Sequence, residues 1–426
     1  MLQSLRRRRT RRPRPGIIRL ARPAINRKMV VRLNSIEAVP DRETRKSAFR
    51  FLMGATVSLE FGMGLQRGVF NNFVVEILGI EPGQLGLVQG IREIPGLLTA
   101  PLAVASGYFR ENVWAGICLA ITALGLLCHV FALNFVLLIV ATLVLSVGFH
   151  LFYPVQQSIV MKNSLPEERA THMGLLNSGG AAASLASFLV VMGLAKVLPR
   201  PNYGLVHGIA AASALVGGLM VAMRRFQGQV AGKTAMNYNP RYMSYYVLSL
   251  LGGSRRHVTM TFAGYLLVRV FGTSVSMMVL LSAVSSLVAI ITRPLIGKAI
   301  DRWGEQRSLV FNYAIVAALF ASYAFVKMPL LLYAIYVVDQ GLQGFDVAIT
   351  THLGKIAPSG DLSPAYAMGS TINHISGVAV PVIGGYLWDF AGAPVVFISG
   401  AGMALASLFY SVNLEKREFA ARQFTS

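Results

Sequence analysis

The residues with chemistry to offer are charged and titratable side chains set inside apolar stretches. Glu60, Arg67 and Asn71 are spaced i, i+7, i+11, which at about 100° per residue places Arg67 and Asn71 each within about 20° of Glu60 on a helix. Asp339, Gln343, Asp346 and Thr350 follow i, i+4, i+7, i+11, again one face. His150, Tyr153 and Gln157 make a third polar side, and Arg255, Arg256, His257 and Thr259 a fourth. Groups of these types can bind a polar or charged solute, neutralise one another, or take up protons. An ionisable side chain at the centre of a membrane helix costs about 2.5–3.5 kcal/mol on insertion scales, so it turns to a cavity, to a counter-charge, or to both. Covalent chemistry has no comparable support: the sequence holds no HExxH, no G-x-S-x-G, no G-x-x-x-x-G-K-[ST] loop and no clustered Cys/His set. No catalytic residue, cofactor or metal centre is expected, and ATP is not expected to drive the protein directly.

The elements that position these residues follow from composition. Of 426 residues 54% are apolar and 13% charged, against about 25% charged in a soluble domain. With a mean hydropathy of +0.57, the chain cannot cover a water-exposed surface of its size, which excludes an ordinary soluble enzyme and a disordered protein. Twelve apolar stretches are each long enough to span a bilayer: 47–70, 83–108, 112–131, 134–161, 168–197, 203–223, 242–271, 274–297, 306–326, 329–356, 363–389 and 393–412. The expected fold is an all-α membrane protein of twelve transmembrane helices. Cys118 and Cys128, ten residues apart in one stretch, are too far apart for a disulfide and are expected to be packing residues.

The net charge of +21 is a topology signal. Residues 1–50 hold 16 Lys/Arg and three acids, and the rest of the excess falls in alternate loops. With the N-terminus inside, the inner loops and tail carry fourteen Lys/Arg and the outer loops only Lys196, Arg200 and Lys327. This positive-inside bias predicts a multi-pass protein of the cytoplasmic (plasma or bacterial inner) membrane with both termini cytoplasmic. Trp114, Trp303 and Trp388 fall at span ends, where interfacial aromatics sit. Segment 1–46, rich in arginine, is expected to be a disordered cytoplasmic arm beside the lipid headgroups, with Met29 an alternative start; no nucleic-acid partner is expected.

Sliding the second half over the first gives a match near an offset of 193. Gly79 followed by Pro101-Leu102 answers Gly272 followed by Pro294-Leu295, and Met173-Gly174 answers Met368-Gly369 at 195. Two six-helix halves are expected, 47–223 and 242–412, joined by a cytoplasmic linker at 224–241 and followed by a tail at 413–426.

Between the eighth and ninth stretches runs Gly297-Lys-Ala-Ile-Asp301-Arg302-Trp-Gly304-Glu-Gln-Arg307. It is similar to the cytoplasmic-loop signature G-x-x-x-D-R-x-G-x-x-R, and with the twelve spans and the repeat the chain resembles the major facilitator superfamily over residues 47–412. The resemblance implies two pseudo-symmetric bundles that rock about a midplane site, with spans 1, 4, 7 and 10 lining the cavity. It also implies a gate role for Gly297, Asp301, Arg302, Gly304 and Arg307, with Asp301 accepting hydrogen bonds from a neighbouring helix and the arginines adding ion pairs. The first-half counterpart, Ala105 to Glu111, lacks the aspartate, and the fifth span, with Asn177-Ser-Gly179-Gly180 and no proline, does not match the antiporter signature.

These observations lead to a secondary transporter for a small polar solute. Arg67 and Arg256 suit an anion, or are neutralised by Glu60 and Asp346; Glu60, Asp339 and Asp346 are the groups through which protons would couple. Arg255 is expected to face a neighbouring helix, while Arg92-Glu93 and Asn373 are expected between the halves; His150 and His257 are counted with the cavity residues, and they and His374 either titrate or serve as hydrogen-bonded packing residues. The protein is expected to be a monomer whose partners are its solute and membrane lipid. A drug or metabolite efflux carrier of the same fold is the alternative; a membrane-embedded enzyme or a non-transporting ligand sensor would be the alternative from another class.

Overall fold

The computed structural model describes residues 41–99, 109–165, 168–198, 201–223 and 238–414. The arginine-rich segment 1–40, Pro101-Leu102, most of the loop from Ala105 to Glu111, the linker 224–237 and the tail 415–426 lie outside the described residues.

Twelve helical runs cover the described chain. The first half has α1 (Arg42–Asn72, continued by a π turn Phe73–Ile77), α2 (Pro82–Leu97), α3 (Glu111–Val130), α4 (Phe135–Lys162), α5 (Arg169–Val197) and α6 (Tyr203–Ala222). The second has α7 (Met243–Val258, then a π turn Thr259–Ala263 and Gly264–Arg269), α8 (Val275–Trp303) and α9 (Glu305–Phe325). It ends with α10 (Pro329–Leu342, a 3₁₀ turn Gln343–Asp346, then Val347–Ile356), α11 (Ser359–Ala391) and α12 (Ala393–Val412). The chain enters helix earlier than expected, at Arg42, because Asp41 caps α1: its carboxylate accepts from the backbone N–H of Glu43 and Thr44.

Seven helices are long and apolar enough on their own to cross a membrane: α3 to α6, α8, α9 and α12. Those that fall short include α1, α7 and α11, which carry Glu60, Arg67, Arg255, Arg256, Asn373 and His374, and α10, which the 3₁₀ turn divides. The polar helices are the ones turned to the middle of the protein. On the other helices, large side chains such as Val136, Leu189, Ile291 and Phe409 stand 60–66% exposed, as a lipid-facing surface requires.

The two halves repeat one packing plan. α1 lies on α5 and α6, α2 on α4, and α3 on α4 and α6; six helices later α7 lies on α11 and α12, α8 on α10, and α9 on α12 and α10. Gly79 and Gly272, matched in the sequence, play one role. Each ends the first helix of its half with a positive φ, +59° and +62°, and each is straddled by an i to i−6 backbone bond, Ile80 N to Val74 O at 2.9 Å and Thr273 N to Leu267 O at 3.0 Å. This is a Schellman stop that needs glycine.

Between the halves, α2 runs along α11 and α5 along α8. A Cβ at Gly86 would collide with the backbone of Pro381, so only glycine permits the α2–α11 approach. One corner of the expected topology changes: Trp303 is 43% exposed, whereas Trp114 and Trp388 are buried, Trp388 against Phe262, Tyr265 and Phe397. They are core anchors rather than interfacial aromatics.

Candidate functional site: a polar cavity and the charges around it

A cavity of about 430 Å³ opens between α1, α4, α5 and α8, lined among others by Glu60, Tyr153, Gln157, Asn177, Ser184 and Arg293. The Glu60 carboxylate accepts from Arg67 Nη2 at 3.0 Å and from the Tyr153 hydroxyl at 2.5 Å. Arg67 also donates to Ser184 Oγ at 2.9 Å, yet its side chain stays 43% exposed. The expected neutralisation of Arg67 by Glu60 is therefore present, and part of the guanidinium still faces solvent. Arg293 of α8 adds a second guanidinium from the other half; it is exposed, and among the described residues no carboxylate lies within ion-pair distance of it. Sequence reasoning missed Arg293 because it sought charges on the first helix of each three-helix unit, and α8 is not one of these. A lone arginine beside Pro294, within an apolar stretch, was the available signal.

In the second half the charges are sequestered. Arg255 is fully buried, donates to Asp346 Oδ1 at 2.8 Å and lies over the Tyr313 ring. Arg256 reaches Asp346 Oδ2 only at 3.8 Å and donates to Asn373 Oδ1. Arg255, and not Arg256, is thus the principal partner of Asp346. Asp339 is 2% exposed, its Oδ2 without a hydrogen-bond partner, as are the hydroxyls of Thr259 and Tyr323. A 3₁₀ turn at Gln343–Asp346 interrupts α10 between Asp339 and Asp346, and the two carboxylates keep different partners. Gln343 stays in that turn, donating to Gln340 at 3.0 Å.

His150 and His257 do not line this cavity. They gather with Glu93 of α2 and His374 of α11 between the halves; Glu93 Oε2 lies 2.9 Å from His374 Nδ1. Asn71 packs against Gly264 of α7, while its neighbour Asn72, not singled out in the sequence, donates to Thr273 O across the interface at 2.9 Å. Asn72–Thr273 belongs to a set of inter-half contacts at one end of the molecule. Arg269 donates to Glu81, Tyr265 to Ile80 O at 2.6 Å, and Gly83 N to Asp389 at 3.0 Å. Among the described residues the hydrogen bonds between the halves run from this end inward to Glu93–His374, and the opposite end holds none. The gate motif lies at that opposite end. Asp301, Arg302 and Arg307 are exposed and make no ion pair among the described residues; Gly297 stands in open space, and Gly304, at φ +81°, turns the chain from α8 into α9. The charge pair beside the motif is Glu305 with Lys355 of α10, at 2.6 Å.

Two repeated six-helix bundles, joined at one end, with charged side chains gathered about a polar cavity, define a membrane transporter of the two-bundle type. The sequence profile of the Major Facilitator Superfamily matches residues 52–339 and 242–423, so the chain belongs to that superfamily and is a transporter, not an enzyme. Solved structures of similar fold include the nucleoside transporter NupG (15% identity, 87% of this chain and 99% of that one, TM-score 0.69). Others are a bacterial homologue of the human lysosomal transporter Spinster, inward-facing and occupied (14%, 90% and 98%, 0.67), and the peptide transporter POT in complex with sulfate (13%, 88% and 95%, 0.70). No curated protein matches the chain.

Proposed function

We propose that the protein is a secondary active transporter that moves a small anionic solute across the cytoplasmic membrane by alternating access, both termini cytoplasmic. The observation that carries this reading is Arg293, a guanidinium without a carboxylate partner among the described residues, lining the same polar cavity as Glu60, with Arg67 half exposed beside it. A planar fork of donors is suited to carboxylate or phosphate. With the basic loops inside, the joined end faces out and the cavity opens towards the cytoplasm, so the conformation is inward-facing. Both halves come from one chain, and a monomer suffices.

Proton coupling is the finer part of the proposal, and we assign it to Asp339. Glu60 and Asp346 are each held by arginine, whereas Asp339 is buried beside the hydroxyls of Thr259 and Tyr323 with no cation in ion-pair contact among the described residues. An unpaired carboxylate there is costly, and taking up a proton removes the charge.

The test is a thermal-shift screen of the purified protein against organic acids, phosphate esters, nucleosides, peptides and sugars. Anions should stabilise the wild type and fail to stabilise Arg293→Ala; stabilisation by neutral solutes alone, or equal stabilisation of the variant, would overturn the anion assignment. In weakly buffered proteoliposomes, flux should shift the internal pH, and flux without a pH change would remove the proton.

A further inference from the structure

The cluster between the halves has a donor set that neither the cavity nor the gate uses. Glu93 on α2 and His150 on α4 come from the first half, His374 on α11 from the second, and one ligand atom from each lies within 4.8 Å of the others. The side chains of His374 and Glu93 are 17% and 13% exposed, and the rings of His150 and His374 meet at 5.2 Å. A fourth donor stands beside them: His257 on α7 is 5% exposed, and its Nε2 has no partner. Its Nε2 and Glu93 Cγ lie 2.9 Å and 2.8 Å from the point where a Cβ on Gly377 would be, so the absence of a side chain at Gly377 leaves the space between them clear.

The surroundings suit a metal ion. His150 Nδ1 faces the Ser146 carbonyl oxygen at 3.0 Å and Ser146 Oγ at 2.9 Å; a proton on Nδ1 donated to the carbonyl would leave the Nε2 lone pair for a metal, the usual outer-shell arrangement of a metal-binding imidazole. Arg92, the nearest fixed positive charge on the same helix as Glu93, is turned to Gln89 Oε1 at 3.2 Å and over the Phe149 ring. Arg256, next to His257, is drawn to Asn373 and Asp346. Imidazoles with one carboxylate match zinc and its neighbours and not calcium or magnesium, which take mostly oxygen. Bonds of about 2.0–2.2 Å in a tetrahedron put donors roughly 3.3 Å apart, so side-chain rotation of the order of an ångström closes the set.

We propose that Glu93, His150 and His374, with His257 as fourth donor, bind a divalent transition-metal ion of the zinc class, and that the ion bridges the two halves and holds the joined end closed. The proposal needs no assumption about the solute. The experiment is titration of the purified full-length protein with Co²⁺, read by its visible d–d absorption, followed by displacement with Zn²⁺. Wild type should show saturable one-to-one binding with a tetrahedral spectrum, and Zn²⁺ should raise its unfolding temperature. Glu93→Gln, His150→Gln and His374→Gln, each checked for an unchanged metal-free unfolding temperature, should bind at least about tenfold more weakly. Gly377→Val, which fills the space from outside the donor set, should also weaken binding and serves where a donor variant fails to fold. No saturable binding, or binding weakened by variants in one half alone, would overturn the bridge.

Discussion

The Glu305 carboxylate at the start of α9 accepts a hydrogen bond from Lys355 Nζ near the end of α10 at 2.6 Å. The first half repeats it: Glu111 at the start of α3 accepts from Lys162 at the end of α4 at 2.9 Å and from Ser158 at 2.5 Å. The two pairs are related by the 193–194 offset of the internal repeat. Each ties two helices of one bundle at the end opposite the inter-half contacts.

The two pairs differ in burial, and so should the cost of breaking them. Glu111 is 1% exposed and Glu305 11%, with Lys162 25% and Lys355 65% exposed. Removing the partner of a buried charge costs about 3–5 kcal/mol, while a solvent-screened pair costs about 1 kcal/mol or less. Lys162→Met should therefore lower the unfolding temperature in detergent clearly more than Lys355→Met. Equal losses would show that burial does not set the energetics here.

Arg255 and Arg256 are adjacent in sequence and opposite in role. Arg255→Met leaves Asp346 without its close partner and should destabilise by about 3–5 kcal/mol, with partial recovery in the double variant carrying Asp346→Asn. Arg256→Ala should lower the unfolding temperature clearly less than Arg255→Met, since the side chain is 32% exposed, its Asp346 contact is 3.8 Å long and what it gives up is the hydrogen bond to Asn373. Thermal unfolding of the three variants decides the matter; a larger loss for Arg256→Ala would reverse the assignment.

Asp301 makes no ion pair among the described residues, so the proposed gate role requires a partner that it gains in another conformation. Asp301→Asn should change stability by no more than about 0.5 kcal/mol and still slow solute uptake in proteoliposomes. Full uptake would remove Asp301 from the gate.

Closure at the joined end should be a condition of this state and not of the whole cycle. Glu81→Cys with Arg269→Cys, in a background where Cys118 and Cys128 are replaced, should arrest transport when joined by a short bifunctional thiol reagent. Undiminished transport by the linked protein would mean that the halves do not part there.

Gly79 and Gly272 meet no atom within 4 Å of an added Cβ, which isolates the backbone term. Alanine at either position should cost about 1–2 kcal/mol, and similar losses at both would express the repeat as energy. A neutral substitution at one of them would show that this helix end relaxes out of the left-handed turn.

The membrane class, the twelve helices and the two-fold repeat were legible in the sequence because they depend on sums and periods: apolar length, the bias of basic loops, and Gly79 and Gly272 at equal spacing from a proline. Glu60 and Arg67 were legible as a pair because one straight helix brings i and i+7 together. Partners on different helices were not. The union of Arg255 with Asp346 depends on how α7 and α10 pack within the second bundle, and the meeting of Glu93, His150, His257 and His374 on how helices from both bundles cross. Arg293 was overlooked for the same reason, since its neighbours in the cavity belong to the other half. A periodic pattern fixes which face a side chain occupies on its own helix; what that face meets is set by packing, and only the tertiary structure decides it.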